Sequence, residues 1–314
     1  MQEQIYNLII VTGPTAGGKT AFTAQMANRI NGEIISADSR QVYRRMNIGT
    51  GKDYEDYVIE NNILPVHLID ICEPGTAYNV FDYQKDFYKT FNKINERQKV
   101  PIVCGGTGMY LEAVTAGYRL IDVPENIELR KELSSYDMPA LTEKLSRRKK
   151  LHNTTDTTDK KRLIRAVEIA EYEASHPELI PEIPEINPIF FGIHYDRDTQ
   201  RKRITDRLIL RLKNGMIDEV QELLNSGIPA EKLIYYGLEY KFITLYLKGE
   251  ISYETMFSKL NTAIHQFAKR QVTWFRRMEK RGTIINWLEG NLPDNEKLNI
   301  ALEILKQHTF ERRN

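Results

Sequence analysis

A glycine-rich loop that ends in lysine and threonine is the first place in the sequence where chemistry can be expected. Residues Gly13-Pro-Thr-Ala-Gly-Gly-Lys-Thr20 fit the pattern G-x-x-x-x-G-K-[ST]. In such a loop the backbone amides surround phosphate oxygens, Lys19 adds a positive charge and Thr20 can ligate Mg²⁺. The apolar run Leu8–Val11 precedes the loop and the helical pattern Ala21–Ile30 follows it, which is the context that a P-loop requires. The predicted phosphate-binding residues are Gly13, Pro14, Thr15, Ala16, Gly17, Gly18, Lys19 and Thr20.

A second polar stretch, Asp38-Ser-Arg-Gln-Val-Tyr43, directly follows the apolar run Glu33–Ser36. In a doubly wound sheet, the carboxyl end of a strand beside the P-loop strand opens onto the ligand crevice. We therefore expect Asp38 to face the group that lies beyond the phosphates, where a carboxylate is suited to act as a general base. Because Asp and Ser are also favoured as helix N-caps, a purely structural role is the alternative.

Short β-branched runs alternate with longer helical patterns, which is typical of βαβ units around a parallel sheet. From about Ile121 to Glu173 the periodicity is helical and no strand candidate occurs. The predicted fold is therefore α/β, a P-loop-type parallel sheet flanked by helices, with a helical insertion domain. We assign residues 1–118 and 186–314 to the core and residues 119–185 to the insertion. The predicted strands are Leu8–Val11, Glu33–Ser36, His67–Asp70, Pro101–Cys104, Ile189–Ile193 and Thr283–Asn286.

The second half of the chain is predicted to return to the core through a proline-rich connector and then to form helices. Residues 177–188 contain four prolines and cannot continue a helix. The helices that we expect after this connector are Arg201–Leu212, Met216–Ser226 and Tyr253–Lys280, with Gly227 and Gly249 as terminators.

Composition limits the class of partner and the compartment. The 44 Lys and Arg residues nearly cancel the 43 Asp and Glu residues among 314, so a nucleic acid must be held by local basic patches. The two cysteines, Cys72 and Cys104, lie in apolar stretches, which suits buried thiols in a reducing compartment. No run approaches the roughly 18 apolar residues that a membrane span needs. We therefore expect a cytoplasmic protein.

Motifs spread along the chain resemble those of a single enzyme family. The motifs are Gly13–Thr20, Asp38–Tyr43, Pro65–Asp70, Gly105–Leu111 and Ala268–Trp274. Their sequence and order resemble the bacterial tRNA dimethylallyltransferases, the tRNA isopentenyltransferase family. The resemblance implies that the P-loop binds dimethylallyl diphosphate together with Mg²⁺. It also implies transfer of the prenyl group to N6 of adenosine 37, in tRNAs that read codons beginning with U.

The resemblance also assigns roles to residues on the acceptor side. The stretch that meets the target nucleotide corresponds to Asp38, Ser39, Arg40 and Gln41. Asp38 would take the proton from the adenine amine, which is a poor nucleophile. Thr107 corresponds to a further catalytic substrate contact, and a turn residue between glycines is the alternative reading.

On the donor side, the pattern Arg203-Ile-Thr-Asp-Arg207 is similar to a helix that supplies an arginine to the diphosphate in the family. We assign that arginine to Arg207. For Arg203 and Arg211, solvated helix charge is the alternative.

The resemblance implies that the insertion binds the anticodon stem-loop of tRNA, and base flipping requires such a hold on the surrounding phosphates. Arg147–Lys150 is predicted to be only a solvated helix face. The segment Lys269–Arg277 is a second candidate for RNA binding, because it mixes cations with aromatic residues. Within it, Trp274 fits either a stacking platform or a helix core. The enzyme is expected to be a monomer. The predicted tRNA contacts in the insertion are Arg130, Lys161, Arg162, Leu163, Ile164 and Arg165.

Two segments depart from the family pattern. Tyr235-Tyr-Gly-Leu-Glu-Tyr240 stands where relatives commonly carry a Gly-Tyr-Arg element, and Ile264-His265 stands where they carry a Thr-Arg pair. Fewer cationic contacts to the anticodon arm would follow. These changes bear on the range of tRNA substrates and not on the type of reaction.

Three other functions stay open on the residues alone. A P-loop most often serves ATP-dependent phosphoryl transfer, so a small-molecule kinase is one alternative. Prenylation of free AMP or ATP would keep the chemistry and change the acceptor. An ATP-switched RNA-binding protein without transfer activity would leave Asp38 without a role.

Overall fold

The computed structural model describes residues 5–148 and 159–310. The chain divides into two compact units, one comprising Met1–Gly117 and Glu185–Asn314 and the other Tyr118–Pro184. The boundaries expected from the sequence lie one residue later in the chain. Within the described ranges, no helix is long and apolar enough to cross a membrane.

The larger unit is built on a six-stranded sheet with the order β6-β3-β7-β2-β8-β9, in which all neighbouring strands are parallel. Strand β2 lies inside the sheet between β7 and β8. The P-loop-type parallel sheet flanked by helices is therefore confirmed. In chain order the strands are β1 (Ile5–Tyr6), β2 (Leu8–Thr12), β3 (Gly32–Ser36), β4 (Val58–Ile59), β5 (Asn62–Ile63), β6 (Val66–His67), β7 (Val100–Cys104), β8 (Pro188–His194), β9 (Ile285–Glu289) and β10 (Thr309–Phe310).

Two strands differ from their predicted bounds by more than one residue at an end, and for local reasons. Strand β6 ends at His67 because Leu68 and Asp70 have left-handed backbone angles, with φ of 59° and 53°. Strand β9 begins only at Ile285, since the Thr283 N–H still bonds to the Met278 carbonyl at the end of the preceding helix. Left-handed residues and helix ends interrupt an extended strand, so both β-branched runs are only partly strand.

The helices include the three predicted after the connector, and Gly227 and Gly249 follow helix ends with φ of 88° and 73°. A 3-10 turn that begins with a proline, Pro177–Leu179, opens the connector. The helices are α1 (Lys19–Ile30), α2 (Val80–Glu96), α3 (Gly108–Thr115), α4 (Ile127–Ser134), α5 (Met138–Arg148), α6 (Lys160–Ser175), α7 (Arg197–Lys213), α8 (Met216–Asn225), α9 (Ala230–Tyr236), α10 (Leu238–Leu247), α11 (Tyr253–Lys280) and α12 (Asp294–Lys306).

The two faces of the sheet bury separate hydrophobic clusters. Alternate residues of β2 point to opposite faces, with Ile9 in the cluster that includes α1 and α12, and Ile10 in the cluster that includes α2, α3 and α11. Cys104 is buried in the first cluster, as predicted. Cys72 is only half-buried, because it lies in a loop at the border of a third hydrophobic cluster, formed mainly by the helices from α7 to α11. The prediction of a buried thiol at Cys72 is therefore wrong.

The smaller unit is helical in its described residues, and Leu133, Leu141 and Leu163 lie in its core. A carboxylate at the edge of this core, Glu168, is 2% exposed and organises two of its helices. Arg130 Nη2 and Arg165 Nη1 donate to Glu168 at 2.8 and 2.5 Å, and the Asn126 N–H donates at 2.6 Å. Burial alone raises the pKa of Glu168, but the hydrogen bonds from the arginines outweigh it and the net shift is downward.

Replacing Glu168 with Ala is expected to destabilise the insertion by about 3 kcal/mol, because two partly buried arginines lose their shared counter-ion. Hydrogen exchange of amides in α4 and α6 during urea titration measures this loss. Glu143→Ala is the control, since Glu143 pairs with Arg147 on a largely exposed helix surface. Equal protection in both variants would contradict the structural role of Glu168.

Candidate active site

The phosphate loop takes its shape from close packing against the neighbouring strand. Gly13 has a φ of +140°, and a Cβ there would lie 2.5 Å from the carbonyl oxygen of Ile193 in β8. Only glycine fits that approach. Ala16 and Gly18 are left-handed, with φ of 61° and 75°, and carry the chain around into the N-terminus of α1. The predicted strand, loop and helix order is therefore present.

Lys19 begins α1 and turns its ammonium back over the loop, where Nζ donates to the Pro14 carbonyl at 2.8 Å. Although part of the Lys19 side chain is exposed, its ammonium is enclosed by protein atoms. This desolvation lowers the pKa of Lys19 to about 8, with nearby Arg207 adding to the effect and Asp38 opposing it. An anion bound in the loop would offset the cost of burying the charged ammonium.

Thr15, at the apex of the loop, is held on three sides by side chains from α7 and α11. Its N–H donates to Gln271 Oε1 at 2.8 Å, and its carbonyl accepts from Gln200 Nε2 at 2.5 Å. Its hydroxyl accepts from Arg207 Nη2. Each polar group of this residue thus has a protein partner, which fixes the loop before any ligand binds.

Three arginines four residues apart line the face of α7 that meets the loop. Arg203 Nε donates to the Ala16 carbonyl at 3.0 Å, and its guanidinium stacks over Tyr195. Arg211 is 9% exposed and lies 3.4 Å from Asp53. Burial and the proximity of Arg211 lower the pKa of Arg207, which remains a guanidinium cation at neutral pH. Arg211 is therefore enclosed in the site, and the alternative of solvated helix charge is wrong for it. Arg203 is exposed, although it bonds to the loop.

Asp38 lies just past the carboxyl end of β3. Its Oδ1 accepts from the Arg40 N–H at 2.8 Å, while the Ser39 N–H donates to Thr107 Oγ1 at 3.1 Å. No helix starts at this point, so a helix N-cap does not explain Asp38. In the part of the chain that is described, the Arg40 guanidinium makes no hydrogen bond or ion pair. Thr107 holds the Asp38 loop, a role that neither sequence reading anticipated.

The segment that follows, residues 41–52, is fixed by hydrogen bonds to polar groups of the protein. Gln41 Nε2 donates to the Gly51 carbonyl at 3.0 Å, so its amide is used within the protein. Glu219 accepts from the N–H groups of Asn47, Ile48 and Gly49 at 2.7–3.0 Å. Lys52, fully buried, donates to Asp70. These contacts position the acceptor side without a substrate.

A divalent ion would find one protein ligand in the phosphate loop. The described residues contain no group of three or more His, Cys, Asp or Glu that could hold a metal. The Thr20 hydroxyl makes no hydrogen bond within the same ranges. Mg²⁺ is commonly bound through one or two protein oxygens, phosphate oxygens and water. The residues thus fit an ion that arrives with a diphosphate, and not one held by protein alone.

The basic residues predicted to bind RNA fall into two groups. Lys161 and Arg162 are exposed on α6, and Lys269, Arg270 and Arg276 are exposed on α11. By contrast, Leu163 and Ile164 are 0% and 8% exposed in the insertion core, which leaves their side chains unable to contact a nucleic acid. Arg130 and Arg165 are about one-third exposed but are engaged by Glu168. Lys149, Lys150 and the loop 153–158 lie outside the described residues.

Both segments that depart from the family pattern lie near α7. Glu239 is the second residue of α10, and its carboxylate is close enough to Arg207 and Arg211 to feel their charge. Burial raises the pKa of Glu239, and the arginines oppose this shift. His265 Nε2 lies 3.3 Å from Thr205 Oγ1. The first of these segments thus brings an acid, Glu239, close to two arginines.

Gln200 and Gln271 are site residues that the sequence reading missed. Gln271 lies inside the quoted motif Ala268–Trp274, but the motif was read for its cations and its tryptophan. Trp274 packs against the core and under Arg277, whose guanidinium is 3.9 Å from its ring centroid. The helix-core reading of Trp274 is therefore the better one.

Comparisons with known proteins identify relatives along nearly the full chain. The model of the IPP transferase family matches residues 41–278. A tRNA dimethylallyltransferase 2 of Bacteroides fragilis is 53% identical over 302 residues, 96% of this chain and 99% of that protein. A tRNA dimethylallyltransferase 1 of Geotalea uraniireducens is 53% identical over 307 residues, 98% and 99% of the two chains.

Solved structures show the same architecture. The full-length tRNA isopentenylpyrophosphate transferase of Bacillus halodurans superposes with a TM-score of 0.70 at 32% identity, covering 96% of each chain. A eukaryotic dimethylallyltransferase acting on tRNA gives a TM-score of 0.75 at 20% identity, covering 98% of this chain and 81% of that one. The second likeness concerns the fold alone.

The lowered pKa of Lys19 predicts how the empty loop binds inorganic diphosphate. Below pH 8 the ammonium is charged and attracts the anion, and above pH 8 the free protein loses that charge. The affinity advantage of the wild type over Lys19→Gln should therefore shrink as pH rises through this value, as measured by calorimetry. Because both proteins bind the same ligand, the ratio of their affinities at each pH is free of the effect of diphosphate ionisation. An advantage that grows with pH would contradict the assignment.

Proposed function

The chain belongs to the tRNA dimethylallyltransferase family, and we propose that its P-loop binds dimethylallyl diphosphate while Asp38 meets the acceptor amine. Members of the family transfer a dimethylallyl group to N6 of adenosine 37 in tRNAs that read codons beginning with U, giving N6-isopentenyladenosine and diphosphate. The chain is therefore a prenyltransferase. The proposal concerns which residues hold the donor, the acceptor and the RNA.

The observation that carries the proposal is the placement of an anion site beside a carboxylate at the same edge of the sheet. The loop after β2 presents Lys19, and Arg207 on α7 bonds to its apex. Asp38 follows β3, which is separated from β2 only by β7. A diphosphate in the loop would thus lie beside a base, and a base at this position suits removal of a proton from an acceptor amine.

The chemistry follows from this arrangement. Nitrogen N6 attacks the allylic carbon, the bond from that carbon to the diphosphate oxygen breaks, and the N6 proton passes to Asp38. Negative charge develops on the departing diphosphate, where Lys19, Arg207 and the amides that open α1 stabilise it. Asp38 is already oriented by the Arg40 N–H, so the base needs little rearrangement.

Mg²⁺ is proposed to bind with the donor through the Thr20 hydroxyl. When bound, it would neutralise part of the diphosphate charge and so make diphosphate a better leaving group. Thr20 follows Lys19 in the first turn of α1, directly after the phosphate loop, and this position supports the proposal.

The RNA is proposed to be held mainly by exposed cations. Lys161 and Arg162 on α6 are exposed in the insertion, and Lys269, Arg270 and Arg276 form a basic stripe on α11. Contacts of lysine and arginine with phosphates supply most of the affinity of such complexes and weaken with salt. We further propose that the enzyme acts as a cytoplasmic monomer.

The proposal is tested by a label-transfer assay. In it, labelled dimethylallyl diphosphate is the donor, and an unmodified anticodon stem-loop with adenosine at position 37 is the acceptor. The wild type should label the RNA, and Asp38→Asn should lower kcat by about 10²-fold, because the amide keeps the bond to Arg40 but cannot take a proton. Asp206→Asn is the matched control, since Asp206 is an exposed acid on α7 paired with Lys202. Full activity of Asp38→Asn would contradict its role as base, and label in AMP but not in RNA would contradict the acceptor.

A further inference from the structure

The side chain of Gln271 joins two loops that follow different strands. Its Oε1 accepts from the Thr15 N–H in the loop after β2, at 2.8 Å, and its Nε2 donates to the Gly106 carbonyl after β7, at 3.0 Å. Because one partner can only donate and the other can only accept, the orientation of the amide is fixed. The residue is 8% exposed, so water does not compete freely for either bond.

The Gln271 amide packs directly against the backbone at Gly106. A Cβ at Gly106 would collide with Gln271 Nε2, and a Cβ at Gly108 would collide with the ring of Trp274, one turn further along α11. One face of α11 therefore packs directly on the backbone of residues 106–108. The contact is specific in shape as well as in hydrogen bonding.

The contacts continue from Gln271 to both halves of the site. On the donor side, Thr15 also bonds to Gln200 and Arg207, so a shift of the loop would move the guanidinium assigned to the diphosphate. On the acceptor side, the residue after Gly106 is Thr107, whose hydroxyl accepts from the Ser39 N–H next to Asp38. A short chain of contacts thus runs from the phosphate loop through Gln271 to the acceptor loop.

We propose that Gln271 is a positioning residue that sets the separation between the phosphate loop and the Asp38 loop, and so aligns the donor carbon with the acceptor nitrogen. The inference rests on the proposed function, because it concerns the same donor and acceptor. Gln271 acts through Thr15 and Thr107 and does not touch substrate. Its loss should therefore slow transfer more than it weakens binding, since a misplacement of about 1 Å can cost about 10²-fold in rate.

Two substitutions separate this role from simple packing. Gln271→Met keeps the length of the side chain and removes both hydrogen bonds, so kcat for label transfer should fall roughly 10- to 100-fold. Calorimetry should find the affinity for inorganic diphosphate little changed. Gln271→Glu keeps an acceptor for Thr15 but sets a second oxygen against the Gly106 carbonyl unless the acid is protonated. Its kcat relative to wild type should therefore rise as pH falls.

Gln84→Met is the matched control, because Gln84 is also a buried glutamine, 3% exposed, that donates to a carbonyl, that of Ala113, at 2.6 Å. It lies in α2 away from the two loops, so this variant should lose thermal stability and keep kcat. The inference would be overturned if Gln271→Met kept the wild-type kcat, or if the defect of Gln271→Glu did not change with pH. In either case, label transfer by the wild type would still uphold the proposed function. A wild type that transfers no label would overturn both.

Discussion

The hydrogen bonds that hold Thr15 are the interaction on which the rest of the site depends. Two helices distant in sequence, α7 and α11, each place a polar side chain on this one residue of the phosphate loop. Strand β2 delivers the loop to the carboxyl edge of the sheet, but parallel pairing alone does not fix its apex. Because the N–H of Thr15 is already engaged, the amides left for phosphate are those nearer to α1. The cradle is thus shaped by the fold before the donor arrives.

Charge is the second constraint, and it favours binding of an anion. Lys19, Arg207 and Arg211 lie close together, and burial lowers the pKa of both Lys19 and Arg207. Enclosed cations without a full set of counter-ions are costly, and a diphosphate would relieve that cost. Glu239 opposes part of this positive charge. The charges of the pocket therefore favour an anion, and Glu239 moderates that preference.

The sequence predicted what short patterns encode and failed where long-range packing decides. The P-loop and the position of Asp38 follow from local motif and strand order, and the structure has both. The two glutamine side chains that bond to Thr15 lie 185 and 256 residues away from it in sequence, and no local pattern marks a glutamine as a partner of a loop. Likewise, the family resemblance suggested RNA contacts for Arg130 and Arg165, whereas Glu168 engages both arginines within the insertion. The sequence also left solvated helix charge open for Arg211, which the structure shows to be buried near Asp53.

The most direct test of the account is the distance between N6 of the target adenosine and the Asp38 carboxylate in a crystal structure with an unreactive dimethylallyl thiodiphosphate and an anticodon stem-loop. We expect the diphosphate group to lie in the loop 13–20 and N6 to lie within hydrogen-bond reach of Asp38, at about 3 Å. A diphosphate bound elsewhere, or N6 held by another group with Asp38 turned away, would contradict it.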